Sequence, residues 1–204
     1  MNYLAHLVLS GKNEEVLFGN FIADAVKGKS YLTWSKNIQK GILLHRFIDH
    51  YTDTNHHYLA GKRRFYEKFP KMGGVINDIL YDYLLWQYEL KHKNIQLDKE
   101  IIRFYRILDG FENKMPESIL YMYQYMKKDD WLTNYQYKNG IKKALNGIGK
   151  RIKYSDNLEN CFDILESSIF DFEKEFEMFY NEIKEHTSSS VSYTHLRAHE
   201  TFTD

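Results

Sequence analysis

Histidine and aspartate recur at steps of four along this chain, and on an α-helix residues four apart lie one above the other. The densest stretch is Gly41-Ile-Leu-Leu-His-Arg-Phe-Ile-Asp-His-Tyr-Thr-Asp53, where His45, Asp49 and Asp53 would form one polar ridge, rising about 6 Å per step. An imidazole and two carboxylates in a row are raw material for a divalent metal site. The plainer alternative is a core histidine held in an i,i+4 ion pair. Arg46, beside His45, adds a fixed positive charge suited to phosphate. Asn20 and Asp24 are again four apart, as are Asp78 and Asp82, each pair in largely apolar sequence. A carboxylate in such surroundings needs a partner. Two that share a face repel each other, and a bridging cation would relieve that. His6 sits in the apolar run Asn2-Tyr-Leu-Ala-His-Leu-Val-Leu, where a lone buried histidine is more often structural.

The elements that must position these groups read as helices. Residues 2–9 form a short buried one. Glu14 to Lys27 carries a wide apolar face, with Gly28 as its stop. Ser35 caps a central helix through Asp53, whose Ile42, Leu43, Phe47 and Ile48 should bury it and leave the polar ridge in a crevice. His56 and His57, adjacent in sequence, would not point at one centre and read as solvated. Gly73-Gly74 breaks the chain before a strong helix from Val75 to Leu90. Further helices are expected at 98–110, 116–128, 138–150 and 156–185, with Pro116 in a first turn and Gly147 and Gly149 marking an end or a close crossing.

Composition supports one all-α domain. The 204 residues include only two prolines and eleven glycines, which leaves little for loops, and the length suits a single domain with a real core. Basic and acidic residues balance at 28 each, so no bulk charge recruits nucleic acid or a membrane surface. Cys161 is the single cysteine, which excludes an internal disulfide and any cysteine-rich zinc cluster. With no membrane-length apolar run and no secretion signal at the N-terminus, the cytoplasm is the expected location. There is no tandem repeat, Gly-rich phosphate loop or Ser-His-Asp pattern. Residues 190–204, from Ser190-Val-Ser-Tyr-Thr-His-Leu-Arg-Ala-His-Glu-Thr201, look like one translated frame of a sequencing-library adapter and are set aside as non-native. The domain is therefore taken as 1–189. Setting them aside also removes His195 and His199, which imitate an i,i+4 metal pair. With Arg197, Glu200 and Asp204 gone, 27 basic and 26 acidic residues remain.

Taken together, Asn2-Tyr-Leu-Ala-His-Leu, Gly19-Asn-Phe-Ile-Ala-Asp-Ala-Val-Lys-Gly28, Gly41 to Asp49 with Thr52-Asp53, the Asp78–Asp82 segment, and later Trp131-Leu, Leu145-Asn-Gly and Arg151 resemble the acyl carrier protein phosphodiesterases. These are distant relatives of the HD phosphohydrolases. The resemblance implies an all-α, single-domain helical bundle of HD-phosphohydrolase type. It also implies a hydrolase that uses a divalent metal, typically manganese, to remove the 4′-phosphopantetheine arm from holo-acyl carrier protein. Carried over position by position, His6, Asp24, His45, Asp49, Asp78 and Asp82 fall on the family's polar positions. The metal ligands implied are Asp24, His45, Asp49 and Asp82, with His6 or Asp78 orienting a ligand or moving a proton and Arg46 holding phosphate. One position departs: after Asp82 the family usually has histidine, and this chain has Tyr83. Carrier proteins are acidic, so Lys27, Lys29, Arg63, Arg64 and the cluster Lys142, Lys143, Lys150, Arg151 and Lys153 are candidate contacts. Two other readings fit the same residues. One is an HD-type phosphohydrolase acting on a nucleotide or small phosphodiester; the other is a non-catalytic helical module that binds carrier protein or stores metal. Nothing in the sequence sets the oligomeric state.

Overall fold

The computed structural model describes residues 3–152 and 157–192, and among them all regular structure is helical. Lys153 and, from residue 193, the segment set aside as non-native lie outside the described residues.

The chain opens with α1 (Tyr3–Leu9) and α2 (Glu14–Ile22), the latter capped by Asn13, whose side chain accepts from the Val16 amide. The expected continuation of α2 to Lys27 does not form. A 3-10 turn at Ala23–Ala25 and an extended Val26 follow instead, so Asp24 sits on a turn and not on a helix face. The cause is tertiary: Arg46 Nη2 donates to the carbonyls of Val26 at 2.9 Å and Gly28 at 2.8 Å, and these bonds hold the chain in its new direction. A second 3-10 segment, Gly28–Thr33, leads to α3 (Lys36–Thr54), capped by Ser35 as its sequence predicts.

Helices α2 and α3 cross unusually closely because two glycines face each other's backbone. A Cβ on Gly19 would stand 2.2 Å from the Ile38 carbonyl oxygen, and one on Gly41 would stand 2.1 Å from that of Val16. Asn20 follows Gly19, and His45 lies one turn beyond Gly41. The glycine crossing therefore presses Asn20 against His45.

After α4 (His56–Arg63) comes α5, which spans Gly73–His92. Gly73 and Gly74 thus begin the helix and do not break the chain before it. A Cβ at Gly73 would approach the Tyr66 ring and the Lys62 carbonyl within 3.0 Å, so glycine is needed for packing there. Helices α6 (Leu97–Gly110), α7 (Glu117–Lys128), the single turn α8 (Trp131–Asn134) and α9 (Lys138–Arg151) follow. Gly147 and Gly149 lie inside α9. The last expected helix is split into a 3-10 turn at Leu158–Asn160, α10 (Cys161–Ser167) and α11 (Ile169–Ser192). The break at Ser168 lets Leu165 and Phe172, one on each side, both reach the core.

The core is aromatic. Tyr81 of α5 meets Phe176 and Phe179 of α11 edge-on at 5.2 and 5.3 Å, and Phe18 of α2 stacks on Phe111 at 4.6 Å. No helix among the described residues is long and apolar enough to cross a membrane.

Candidate metal centre

A cavity of about 350 Å³ opens between α1, the Ala23–Ala25 turn, α3 and α5, lined by Tyr3, His6, Asp24, His45, Asp49, Asp53 and Asp78. The α3 ridge is present as its spacing requires, with His45, Asp49 and Asp53 all facing the cavity. His45 Nε2 lies 3.0 Å from Asp49 Oδ2 and 3.4 Å from Asp24 Oδ1. From α1, His6 Nε2 reaches 3.2 Å from Asp49 Oδ1, and the His6 and His45 rings stack at 4.1 Å. Ligand atoms of His6, His45 and Asp49 all fall within 4.8 Å of one another.

Behind the imidazoles stands Asn20, fully buried. Its Oδ1 is 3.0 Å from Nδ1 of His6 and 3.0 Å from Nδ1 of His45. Its backbone carbonyl is 2.9 Å from His45 Nδ1 as well. Sequence spacing marks Asn20 only as a neighbour of Asp24. Its contact with both histidines depends on the glycine crossing, and no local pattern reports that.

The charges are strongly coupled. Burial disfavours the charged form of His45, but Asp24 and Asp49 together outweigh it and hold the imidazole up at about 9. Burial, followed by the nearby charge of His45, pushes His6 down to about 4. Burial also opposes ionisation of Asp49, yet His45 and His6 keep its carboxyl well below the usual range. The hydrogen bond to His45 lowers Asp24 likewise. Tyr3, at the rim, is pushed up to about 12 by burial and Asp24, against the pull of Arg151.

These residues fit a divalent cation. His6 Nε2 is buried without a hydrogen-bond partner, although it points at the carboxylate that His45 shares. Two imidazole nitrogens and a carboxylate suit manganese or zinc. One proton on His45 only partly balances Asp24 and Asp49; a dication would balance both.

Other expected site residues lie elsewhere. Asp82 is fully buried beneath α1, where its Oδ2 accepts from the Leu4 amide at 3.0 Å and its Oδ1 from that of Ala5 at 3.1 Å. It caps the helix that carries His6 and does not line the cavity. Burial pushes its carboxyl up to about 7, against the two amide donors. Arg46 does not line the cavity either; its guanidinium holds the loop after Asp24 and lies over the Tyr31 ring at 5.2 Å. Asp78 does line the cavity, and its Oδ1 accepts from the Tyr58 hydroxyl at 2.7 Å. Tyr83 borders a separate polar groove with Lys138 and Lys143, its ring edge-on to Phe162, so the departure at this position does not touch the centre. His57 is not solvated: its Nε2 lies 3.7 Å from Glu182 and its side chain is 17% exposed.

Fold and centre together define an all-helical protein with a pocket in which imidazole and carboxylate groups converge. The family model for acyl carrier protein phosphodiesterase matches residues 1–183, and the chain belongs to that family. Similar proteins include acyl carrier protein phosphodiesterases of Klebsiella pneumoniae strain 342, 27% identical over 88% of this chain and 94% of that protein, and of Photorhabdus laumondii, 26% identical over 95% and 98%. The one from Pectobacterium atrosepticum is 27% identical over 88% and 94%. No solved structure matches the chain, so the HD-phosphohydrolase likeness has no structural counterpart there.

Proposed function

We propose that the pocket holds a divalent ion, manganese being the one expected, on His6, His45 and Asp49 with Asp24 beside them. In this reading it hydrolyses the phosphodiester that joins 4′-phosphopantetheine to holo-acyl carrier protein. The observation that carries the reading is the convergence of ligand atoms from α1 and α3 within 4.8 Å, in a chain whose relatives are named for this reaction. When bound, the ion would polarise the phosphoryl oxygens and acidify a water. The chain's own groups do the rest. Asp49 and Asp24 stay ionised, as their neighbours dictate. Asp78, which lines the pocket and accepts from the Tyr58 hydroxyl, is the carboxylate that this reading assigns to take a proton from the attacking water. The water oxygen bonds to phosphorus, the bond to the carrier serine breaks, and that serine oxygen takes the proton that Asp78 received from the water. Apo-carrier protein and free phosphopantetheine result. Arg46 serves by holding the Asp24 turn, not by binding phosphate.

Lys27 and Lys29, exposed just past Asp24, are the cations best placed to meet an acidic carrier protein. Arg64 is already engaged by Glu175 through bonds of 2.6 and 2.7 Å. Docking through Lys27 and Lys29 should weaken as salt rises to physiological strength. The test is to incubate the protein with manganese and holo-carrier protein and follow the carrier's mass. Loss of the arm that requires manganese supports the reading. Binding without loss would make this a non-catalytic module, and cleavage only of small phosphodiesters would make it a different phosphohydrolase.

A further inference from the structure

We propose that Asn20 is a positioning residue that holds a hydrogen on Nδ1 of both site histidines at once, so that Nε2 of each ring is the nitrogen turned toward the pocket and the one left to bind a cation. The orientation of its amide is fixed from behind. Nδ2 donates to the His6 carbonyl at 3.0 Å and to Ser10 Oγ at 2.8 Å, and the Ser10 hydroxyl is itself committed as a donor to the His6 carbonyl at 2.8 Å. Turning the amide over would set its oxygen against the His6 carbonyl oxygen and its NH2 against His45 Nδ1, whose hydrogen the Asn20 backbone carbonyl already accepts. Oδ1 therefore faces the two imidazoles, and it can only accept. Each Nδ1 lying 3.0 Å from it must carry a hydrogen. In a neutral imidazole the other nitrogen is then the lone pair, and for His6 that nitrogen is Nε2, buried 3.2 Å from a carboxylate oxygen of Asp49. Metal-binding histidines are commonly oriented through their second nitrogen in this way; here one side chain serves two ligands from different helices.

The two histidines depend on Asn20 unequally. His45 Nδ1 also has the Asn20 backbone carbonyl at 2.9 Å, which survives any substitution of the side chain. For His6 Nδ1 the described residues provide only the side-chain oxygen. In Asn20→Ala, then, His45 should keep its Nδ1 hydrogen, while His6 should move its hydrogen to Nε2 and donate to Asp49. A general loosening of the core would not separate the rings in this manner.

The experiment reads ring-nitrogen protonation by long-range proton–nitrogen NMR, on His6 in the metal-free protein at neutral pH and on both rings with zinc as a diamagnetic probe. The inference expects Nδ1–H on His6 in the natural chain, Nε2–H on His6 in Asn20→Ala with His45 unchanged, and zinc affinity about 10- to 100-fold weaker in that variant. Ser10→Ala removes a hydroxyl from the same network but keeps the bond from Asn20 to the His6 carbonyl, so it should leave both tautomers as they were. Finding Nε2–H on His6 in the natural chain overturns the inference without any variant, and so does a folded Asn20→Ala with unchanged His6 tautomer and zinc affinity. The consequence for affinity rests on the metal reading above, but the tautomer does not. If the natural chain binds neither zinc nor manganese, the metal reading fails while the His6 spectrum still decides this one.

Discussion

Helices α3 and α5 carry the same device, acidic residues four apart on an apolar helix, yet they use it in opposite ways. On α3 the ridge of His45, Asp49 and Asp53 stays whole and faces one cavity. On α5 the ridge is divided: Asp78 turns to the cavity under the Tyr58 hydroxyl, while Asp82 disappears beneath α1 to bind two backbone amides. The difference lies in what packs above each helix. The start of α1 presents unsatisfied amides, and an aspartate beneath them is a cap. Where α1 presents His6 instead, the carboxylate opposite becomes part of a polar centre. Identical spacing therefore lines a polar cavity in one place and supports the helix that carries His6 in the other.

The strongest way to break this comparison is to remove the shared carboxylate. Asp49→Ala should weaken manganese binding by more than about a hundredfold and abolish release of the arm, as measured by metal titration and carrier mass, with the fold kept by circular dichroism. Retained binding would deny the α3 ridge its role. Next in size is the crossing that presents Asn20 to the ridge. In Gly41→Ala the new methyl would meet the Val16 carbonyl, and overpacking there should cost about 3 kcal/mol, against a propensity gain of about 1 kcal/mol. A stability unchanged in urea unfolding would mean the helices separate freely.

Asp82→Ala tests the other ridge. It leaves the Leu4 and Ala5 amides without partners and should cost about 2 kcal/mol, while the folded fraction binds manganese almost normally. A loss of affinity as large as that of Asp49→Ala would return Asp82 to the metal. The same residue gives a signed pH effect. Its folded carboxyl is raised to about 7, above its unfolded value, so the folded state holds more protons between the two. The stability this group contributes is complete below about pH 4 and is lost as pH rises through 7. The difference in unfolding free energy between the natural chain and Asp82→Asn should fall across that window; a flat difference would contradict the assignment. The smallest effect belongs to Tyr83→His, which restores the family's usual residue on α5. Facing a separate groove, it should change stability by no more than about 0.5 kcal/mol and leave manganese affinity where it was.

The helical class, the α3 ridge and its crevice, and the cap at Ser35 are all legible in the chain, because each follows from spacing within one turn or from a single capping residue. Contacts between distant segments decided the rest. The α2 helix stops at Ile22 because Arg46 grips the Val26 and Gly28 carbonyls, and the same grip engages its guanidinium in that loop. Gly73 reads as a breaker from its type and serves as a packing site from its neighbours.

The sequence by itself determined that polar ridges would lie on apolar helices, since periodicity and side-chain chemistry are local properties. Only the tertiary structure decided which ridge members meet. The close glycine crossing of α2 and α3 and the docking of α1 on α5 bring His6, Asn20, His45 and Asp49 together and take Asp82 out. Such choices depend on which backbone amides and carbonyls must be satisfied at a helix contact, and no spacing along the chain records them.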